Sequence, residues 1–139
     1  MEQIEQAAIV ATLVPEHRRL AFLPRHFDTH MMVFERQLYS QMRHLCADYD
    51  GGWWNFYDLS NGGCYLSPSA AETFRIRGTG NDFEGTLSAD ATGVTVTLFT
   101  LSHLAFRFPS CEVFTERFHQ LRDFACEHVE RRLILAAID

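Results

Sequence analysis

The sequence predicts an α+β fold in one domain, an antiparallel meander of about four strands flanked by an N-terminal helical segment and two C-terminal helices. Glycine-rich turns separate short aromatic or alternating segments, which is typical of β-hairpins. On both sides of these segments, apolar residues recur at spacings of three and four, which is typical of amphipathic helices. With 139 residues the chain has the length of one domain. We expect residues 1–139 to form it and residues 1–12 to be flexible.

The N-terminal helical segment is predicted over residues 14–48. Pro15 suits a first helical turn, and Pro24 predicts a break. After the break, one apolar stripe has its members at helical spacing: Phe27, Met31, Phe34, Leu38, Met42 and Leu45. Charged residues lie largely off this stripe, as an amphipathic helix requires, so we expect the stripe to face a core.

Two β-hairpins follow the helical segment. In the first, the aromatic run 53–59 suits a pleated, half-buried surface. Residues 60–63 then provide the Asn and Gly that tolerate positive φ in a tight reversal. In the second hairpin, residues 73–77 alternate apolar and charged side chains, which is the period of a strand with one solvent-exposed face. Residues 83–87 are predicted to form the returning strand. Together the hairpins predict a four-stranded antiparallel meander.

Residues 88–108 fit both the helical and the strand period. Length favours a helix, because about twenty residues exceeds the usual strand of roughly 3 to 10. Ser88 and Asp90 are candidate N-caps, and Pro109 ends the segment. A final helix is predicted over residues 111–138.

The charge of the chain argues against two classes of function. All 12 basic residues are arginine, which excludes lysine-based chemistry, and 18 scattered carboxylates give a formal net charge of −6. A DNA mimic must reproduce a phosphate row with about one charge per 1.7 Å of duplex axis. Scattered carboxylates with a net charge of −6 cannot do so, which argues against DNA mimicry. A DNA-binding protein needs a clustered basic face, so we expect no strong binding to bare DNA.

The cysteine and hydropathy patterns predict an intracellular, cytoplasmic protein. No apolar run reaches the roughly 20 residues of a membrane span, and the first residues lack a basic signal sequence. The four cysteines, Cys46, Cys64, Cys111 and Cys126, show no CxxC spacing and are interpreted as free thiols.

An enzymatic alternative rests on two histidines. His26 and His30 are one helical turn apart, a spacing by which paired histidines bind zinc. The glutamate expected directly after the first histidine is replaced by Phe27, and we predict neither a metal nor a cofactor. A metal- or thiol-dependent enzyme that uses His26, His30 or a cysteine remains the alternative to a non-catalytic protein.

Six segments of the chain resemble the ArdB/KlcA antirestriction family in sequence, order and approximate spacing. They are residues 20–27, 30–32, 45–49, 50–68, 87–91 and 118–122. The resemblance implies an antirestriction protein of plasmids and other mobile elements, which relieves type I restriction and so protects incoming DNA. It also favours a helix over residues 88–108. The implied partner is the type I restriction-modification enzyme or an associated host factor.

The aromatic strand of the first hairpin is the candidate partner surface. In a strand, Trp54 and Phe56 share one face, whereas Trp53, Asn55 and Tyr57 share the other. We expect Trp54 and Phe56 to lie against the helices. Trp and Tyr are favoured anchors of protein interfaces, so we assign Trp53, Asn55 and Tyr57 to partner binding. The alternative is that helices cover both faces.

Overall fold

The structure is a computed structural model that describes residues 8–78 and 80–139. Within this part of the chain, five strands and five α-helices combine in a mixed α+β fold, which confirms the predicted class. Both predicted hairpins are present. No helix in the described ranges is long and apolar enough to cross a membrane.

The strands form two sheets and not one meander. Strands β1 (Ala11–Leu13), β2 (Trp54–Leu59) and β3 (Cys64–Pro68) form an antiparallel sheet in the order β1-β2-β3. Strands β4 (Thr73–Arg77) and β5 (Glu84–Ser88) form a separate two-stranded sheet. The four-stranded meander was therefore a wrong prediction, because β3 and β4 do not pair.

Helix α3 (Ala89–Arg107) is the reason for the division. The Oγ1 atom of Thr97 lies 3.3 Å from the backbone nitrogen of Leu66 in β3 and 3.4 Å from its carbonyl oxygen. The backbone of Gly93 is so close to β3 that an added Cβ would lie 2.4 Å from the same carbonyl oxygen. The helix thus occupies the edge of β3 where β4 would have to pair.

The N-terminal helical segment consists of α1 (Arg19–Phe27) and α2 (Met31–Leu45), each preceded by a short 3-10 turn. The break comes at Asp28, which has a φ of 49° in the left-handed region, and Pro24 lies inside α1. The missing N–H of a proline leaves the carbonyl four residues earlier without a donor. Here that residue is Leu20, which is 95% exposed, so water can replace the lost donor.

The core lies between α3, the two hairpins and the apolar stripe of α1 and α2. Every residue of that stripe is buried except Met31, which is half-buried. Residues 91–98 of α3 are all buried, as expected for a helix enclosed on all sides. The hydroxyl of Ser88 accepts from the N–H of Ala91 and is the predicted N-cap, whereas Asp90 lies in the first turn.

Two further predictions concern the ends of the chain. The final helix is divided into α4 (Glu112–Ala125) and α5 (Arg131–Ile138), joined by a turn at residues 126–130. Of residues 1–12, predicted to be flexible, 1–7 lie outside the described residues. Ala11 and Thr12 belong to β1, whose pairing partners in β2 are Leu59 and Asp58.

Candidate protein interface

Trp53 lies just before β2 and is 57% exposed. The guanidinium carbon of Arg19, the first residue of α1, is 4.1 Å from the centroid of the Trp53 ring and 3.9 Å from that of Phe56. Arg19 also donates from Nη2 to the carbonyl of Trp54 at 2.8 Å. This carbonyl is accessible because β1 ends opposite Tyr57 and leaves the start of β2 uncovered. Arg19 therefore holds the exposed indole against the start of the strand.

The other two predicted interface residues are less exposed than Trp53. Asn55 is half-buried and accepts a hydrogen bond from the indole Nε1 of Trp53 at 3.3 Å. Tyr57 is half-buried, and its ring stacks on that of Tyr65 at a centroid distance of 4.8 Å. Burial, followed by the charge of Asp90, raises the pKa of Tyr57. Trp53 and Asn55 thus lie together, while Tyr57 belongs to the packed part of the same face.

Trp54 lies on the opposite face of β2 and is buried, as the alternation predicts. Its Nε1 donates to the hydroxyl of Tyr49 at 2.8 Å, and the rings of Tyr39 and Tyr49 meet it edge-on. Phe56, on the same face, is half-buried and stacks on the buried Phe22 of α1. The helices therefore cover this face incompletely.

An apolar groove of about 320 Å³ runs between α1 and α2 beside Phe56. Its apolar lining includes Leu20, Leu23, Met31 and Met32. Leu20 is 95% exposed and Met32 is 61% exposed, so the groove continues into an open apolar surface. The interface prediction missed this groove. The signal that could have revealed it was the leucine and methionine residues of 20–32 that lie outside the predicted stripe.

His26 belongs to an ionic cluster that joins α1 to β2. Its Nε2 lies 2.7 Å from Oδ1 of Asp58 in β2, and Arg25 donates to both carboxylate oxygens of Asp58 at 3.1 and 3.0 Å. Burial alone would raise the pKa of Asp58, but the hydrogen bonds from Arg25 and His26 outweigh it and lower the pKa. Burial lowers the pKa of His26, and its hydrogen bond with Asp58 offsets this only in part.

We expect His26 to make the free energy of unfolding decrease as the pH falls. Above its ordinary pKa of 6.5 the imidazole is neutral in both the folded and the unfolded state, so burying it does not lower the free energy of unfolding there. As the pH falls below 6.5 the unfolded chain takes up a proton that the folded chain does not, until the lower folded pKa is reached. Asp58 stays ionised here because its pKa is lowered from 3.8. Urea denaturation at pH 7.5, 6 and 5 measures the decrease.

The variant His26→Asn should flatten this dependence, and the matched control is His44→Asn. His44 is exposed on α2, so its substitution should leave the dependence as in the wild type. Arg25 and Arg117 face His26, and their positive charges add to the lowering of its pKa. Equal slopes for wild type and His26→Asn would contradict the prediction.

The two histidines of the enzymatic alternative do not share a helix. α1 ends at Phe27, and His30 lies in the 3-10 turn before α2. His30 Nδ1 is 3.8 Å from Sγ of Cys111, the residue before α4, whereas His26 contacts Asp58. Among residues 8–78 and 80–139, no three His, Cys, Asp or Glu side chains are arranged to hold a metal ion. His26 and His30 therefore do not form the one-turn helical pair on which the zinc hypothesis was based.

The cysteines are free thiols in different surroundings. Cys46 and Cys64 are buried, Cys111 is half-buried and Cys126 is exposed. Burial raises the pKa of Cys64 to about 12, which keeps this thiol protonated at neutral pH. The sulfur atom of Cys111 lies 3.8 Å from a histidine nitrogen, Nδ1 of His30.

A second polar network, which the sequence did not predict, joins β3 to α3 and to the turn before α5. The hydroxyl of Tyr65 donates to Asp90 at 2.6 Å, and Nε2 of His128 lies 2.7 Å from the same carboxylate. The backbone N–H of Glu130 donates to Nδ1 of His128 at 2.9 Å, so Nε2 carries the hydrogen that Asp90 accepts. Each buried polar group has a partner here, which is typical of a structural network.

Comparison with known proteins identifies the family of this protein. A family model described as antirestriction protein matches residues 47–139, which is more than half of the chain. The chain therefore belongs to the antirestriction protein family, as the resemblance implied.

Particular relatives cover nearly the whole chain. One antirestriction protein KlcA of Escherichia coli is 43% identical over 135 residues, covering 94% of this chain and 95% of the relative. Another KlcA of the same species is 44% identical over 137 residues, covering 94% of each. A solved structure matches with a TM-score of 0.89 and 42% identity, covering 99% of this chain and 100% of that one. It is described as showing, for KlcA and ArdB, a novel fold and antirestriction activity against type I DNA restriction systems in vivo but not in vitro.

Proposed function

We propose that this protein relieves type I restriction in the cell by a non-catalytic interaction with the restriction-modification enzyme or an associated host factor. The observation that carries the proposal is the structural match at a TM-score of 0.89 to proteins with this activity in vivo. Because that activity was absent in vitro, we infer that the protein acts with a cellular component that purified reactions lack.

The charge distribution supports an interaction that is not DNA mimicry. The carboxylates of Asp58 and Glu84 are engaged by arginines, and that of Asp90 by His128 and Tyr65. Such carboxylates are neutralised in part within the protein and cannot act as a row of phosphates. The exposed indole of Trp53 and the apolar groove beside it instead have the character of a protein interface.

Phage plating tests the proposal. Expression in a host with an active type I system should raise the plating efficiency of unmodified phage toward that of a host without the system. DNA methylation should remain unchanged, because the proposed effect spares the modification activity. The isogenic host lacking the restriction subunit is the control. Unchanged plating efficiency across several type I families would refute the functional assignment.

The thiol-enzyme alternative is supported by one contact, the 3.8 Å approach of His30 Nδ1 to Cys111 Sγ. In such an enzyme Cys111 would be the nucleophile and His30 the base that accepts its proton. The variant Cys111→Ser separates the two classes in the plating assay. Full protection by this variant agrees with the non-catalytic proposal, whereas loss of protection with normal thermal stability favours the thiol enzyme.

A further inference from the structure

We infer that the groove between α1 and α2 binds an acidic amphipathic helix of a protein partner. The inference rests on the proposed function and specifies the surface and the kind of partner through which the protein acts. It depends on three properties of the groove: its apolar lining, the arginines at its border and the secondary structure of its walls.

The apolar lining fits a small set of side-chain anchors. Leu20 and Leu23 lie on the same side of α1, three residues apart, and Met31 and Met32 lie at the start of α2. Methionine side chains are flexible and polarizable, so they adapt to the shape of an inserted apolar group. Burying Leu20 and Met32 under a partner would remove two of the large exposed apolar side chains from water.

The charge of the surrounding segment selects an acidic partner. Residues 14–46 contain five arginines and three carboxylates, whereas the whole chain contains 12 arginines and 18 carboxylates. Arg19 lines the groove, and Arg36 lies one helical turn after Met32 on the exposed side of α2. Within the described residues, neither arginine forms an ion pair with a carboxylate. Both are therefore available to carboxylates of a partner.

The fixed position of Arg19 further favours an acidic partner. Its guanidinium lies over the rings of Trp53 and Phe56 and donates to the carbonyl of Trp54, so its position is fixed before a partner arrives. A fixed guanidinium loses little conformational entropy when it binds a carboxylate. Glu35 is the one carboxylate among the groove-lining residues and balances the charge of Arg19, so the exposed Arg36 beside the lining gives the border its net positive charge.

The walls of the groove determine the secondary structure of the partner. Leu20 and Leu23 on one side and Met31 and Met32 on the other belong to helices, whose backbone hydrogen bonds are internal. The remaining wall is Phe56 of β2, and the strand edge beside it is occupied, because the carbonyl of Trp54 accepts from Arg19 and that of Phe56 accepts from the N–H of Val14. An added strand would therefore find no free edge here, whereas an amphipathic helix can insert anchors at positions i, i+3 or i+4, and i+7. The partner segment is therefore a helix with apolar anchors on one face and carboxylates beside them.

A displayed library of helical peptides tests the groove directly. The peptides carry Leu, Met or Phe at positions i, i+4 and i+7, and random Glu, Lys or Gln at the neighbouring positions. Peptides selected on the full chain should be rich in Glu. They should bind Met32→Glu and Leu20→Glu at least about tenfold more weakly. They should bind Phe106→Glu as tightly as the wild type, because Phe106 is 85% exposed and does not line the groove.

A charge reversal makes the test sharper. On the variant Arg36→Glu the selection should shift from Glu to Lys at the positions that face α2. The inference is overturned if the selected peptides are basic or neutral, if they bind the groove variants and Phe106→Glu equally, or if no peptide is selected. Self-association through the groove, detected as a dimer that Met32→Glu disrupts, would also overturn it in favour of a second copy as the occupant.

Plating assays with the same variants distinguish failure of this inference from failure of the proposed function. If the wild type protects phage and Leu20→Glu and Met32→Glu do not, while Phe106→Glu does, the groove is the partner surface. If all four proteins protect equally, the groove inference is wrong and the proposed function stands. If the wild type does not protect, the proposed function fails, and the peptide selection alone decides on the groove.

Discussion

Substituting Gly93 by alanine should unfold the protein or lower its free energy of unfolding by about 3 kcal/mol or more. The added Cβ would lie 2.4 Å from the carbonyl oxygen of Leu66 and 2.6 Å from Cα of Ser67. Both are backbone atoms, so no side-chain rotation relieves the clash, and α3 or β3 has to move. Urea denaturation followed by circular dichroism measures the loss.

The matched control for this substitution is Gly80→Ala. An added Cβ at Gly80 would meet no heavy atom within 4 Å, and the residue is exposed. It should leave stability within about 0.5 kcal/mol of the wild type. If Gly93→Ala were as stable as Gly80→Ala, the close approach of α3 to β3 would not be part of the fold.

Substituting Trp54 by alanine should cost about 3 to 5 kcal/mol of stability. The indole is 3% exposed, contacts the rings of Tyr39 and Tyr49, and donates a hydrogen bond to the Tyr49 hydroxyl. Its removal leaves a cavity and deprives that hydroxyl of its donor. Thermal and urea denaturation of the purified variant measure the cost.

The neighbouring Trp53→Ala is the contrasting variant, because its indole is 57% exposed. It should lose about 0.5 to 1 kcal/mol, the value of an exposed cation–π contact, here with Arg19. By our proposal it weakens phage protection while the protein stays folded. Unfolding of Trp53→Ala together with normal folding of Trp54→Ala would invert the face assignment.

Local sequence signals predicted the elements that local chemistry determines. The Asn and Gly of residues 60–63 specified the first hairpin, and Gly62 indeed has a positive φ of 94°. Ser88 was recognised as an N-cap because its hydroxyl accepts a hydrogen bond from an N–H only three residues later, that of Ala91. Alternation along β2 placed Trp54 in the core.

Long-range contacts determine the features that the sequence did not predict. β1 has three residues and exists because it pairs with β2, some 45 residues later in the chain. The division of the sheet depends on Thr97 and Gly93, which are ordinary helix residues until β3 is placed beside them. The predicted break at Pro24 was wrong, because the carbonyl that loses its hydrogen-bond donor belongs to the solvent-exposed Leu20.

The exposure of the three residues assigned to partner binding follows from the sequence only in part, for the same reason. Sequence alternation assigns Asn55 and Tyr57 to one face but does not reveal that Tyr65 lies opposite Tyr57 in the next strand and stacks on it. Trp53 was correctly placed outside the core. Its contact with Arg19, and hence its proximity to the groove, requires the packing of α1 on β2.

The covering of β3 by α3 has a consequence for synthesis on the ribosome. The atoms that meet the edge of β3 at Leu66 belong to Thr97, 31 residues later in the chain. At a translation rate of about 5 to 20 residues per second, that edge therefore stays without its native partner for roughly 2 to 6 seconds. All five residues of β3 are buried in the finished protein, so a nascent chain in this interval presents an apolar strand with an open edge. Such edges pair readily with other chains, so we expect aggregation of nascent chains on one polysome to be favoured in this interval.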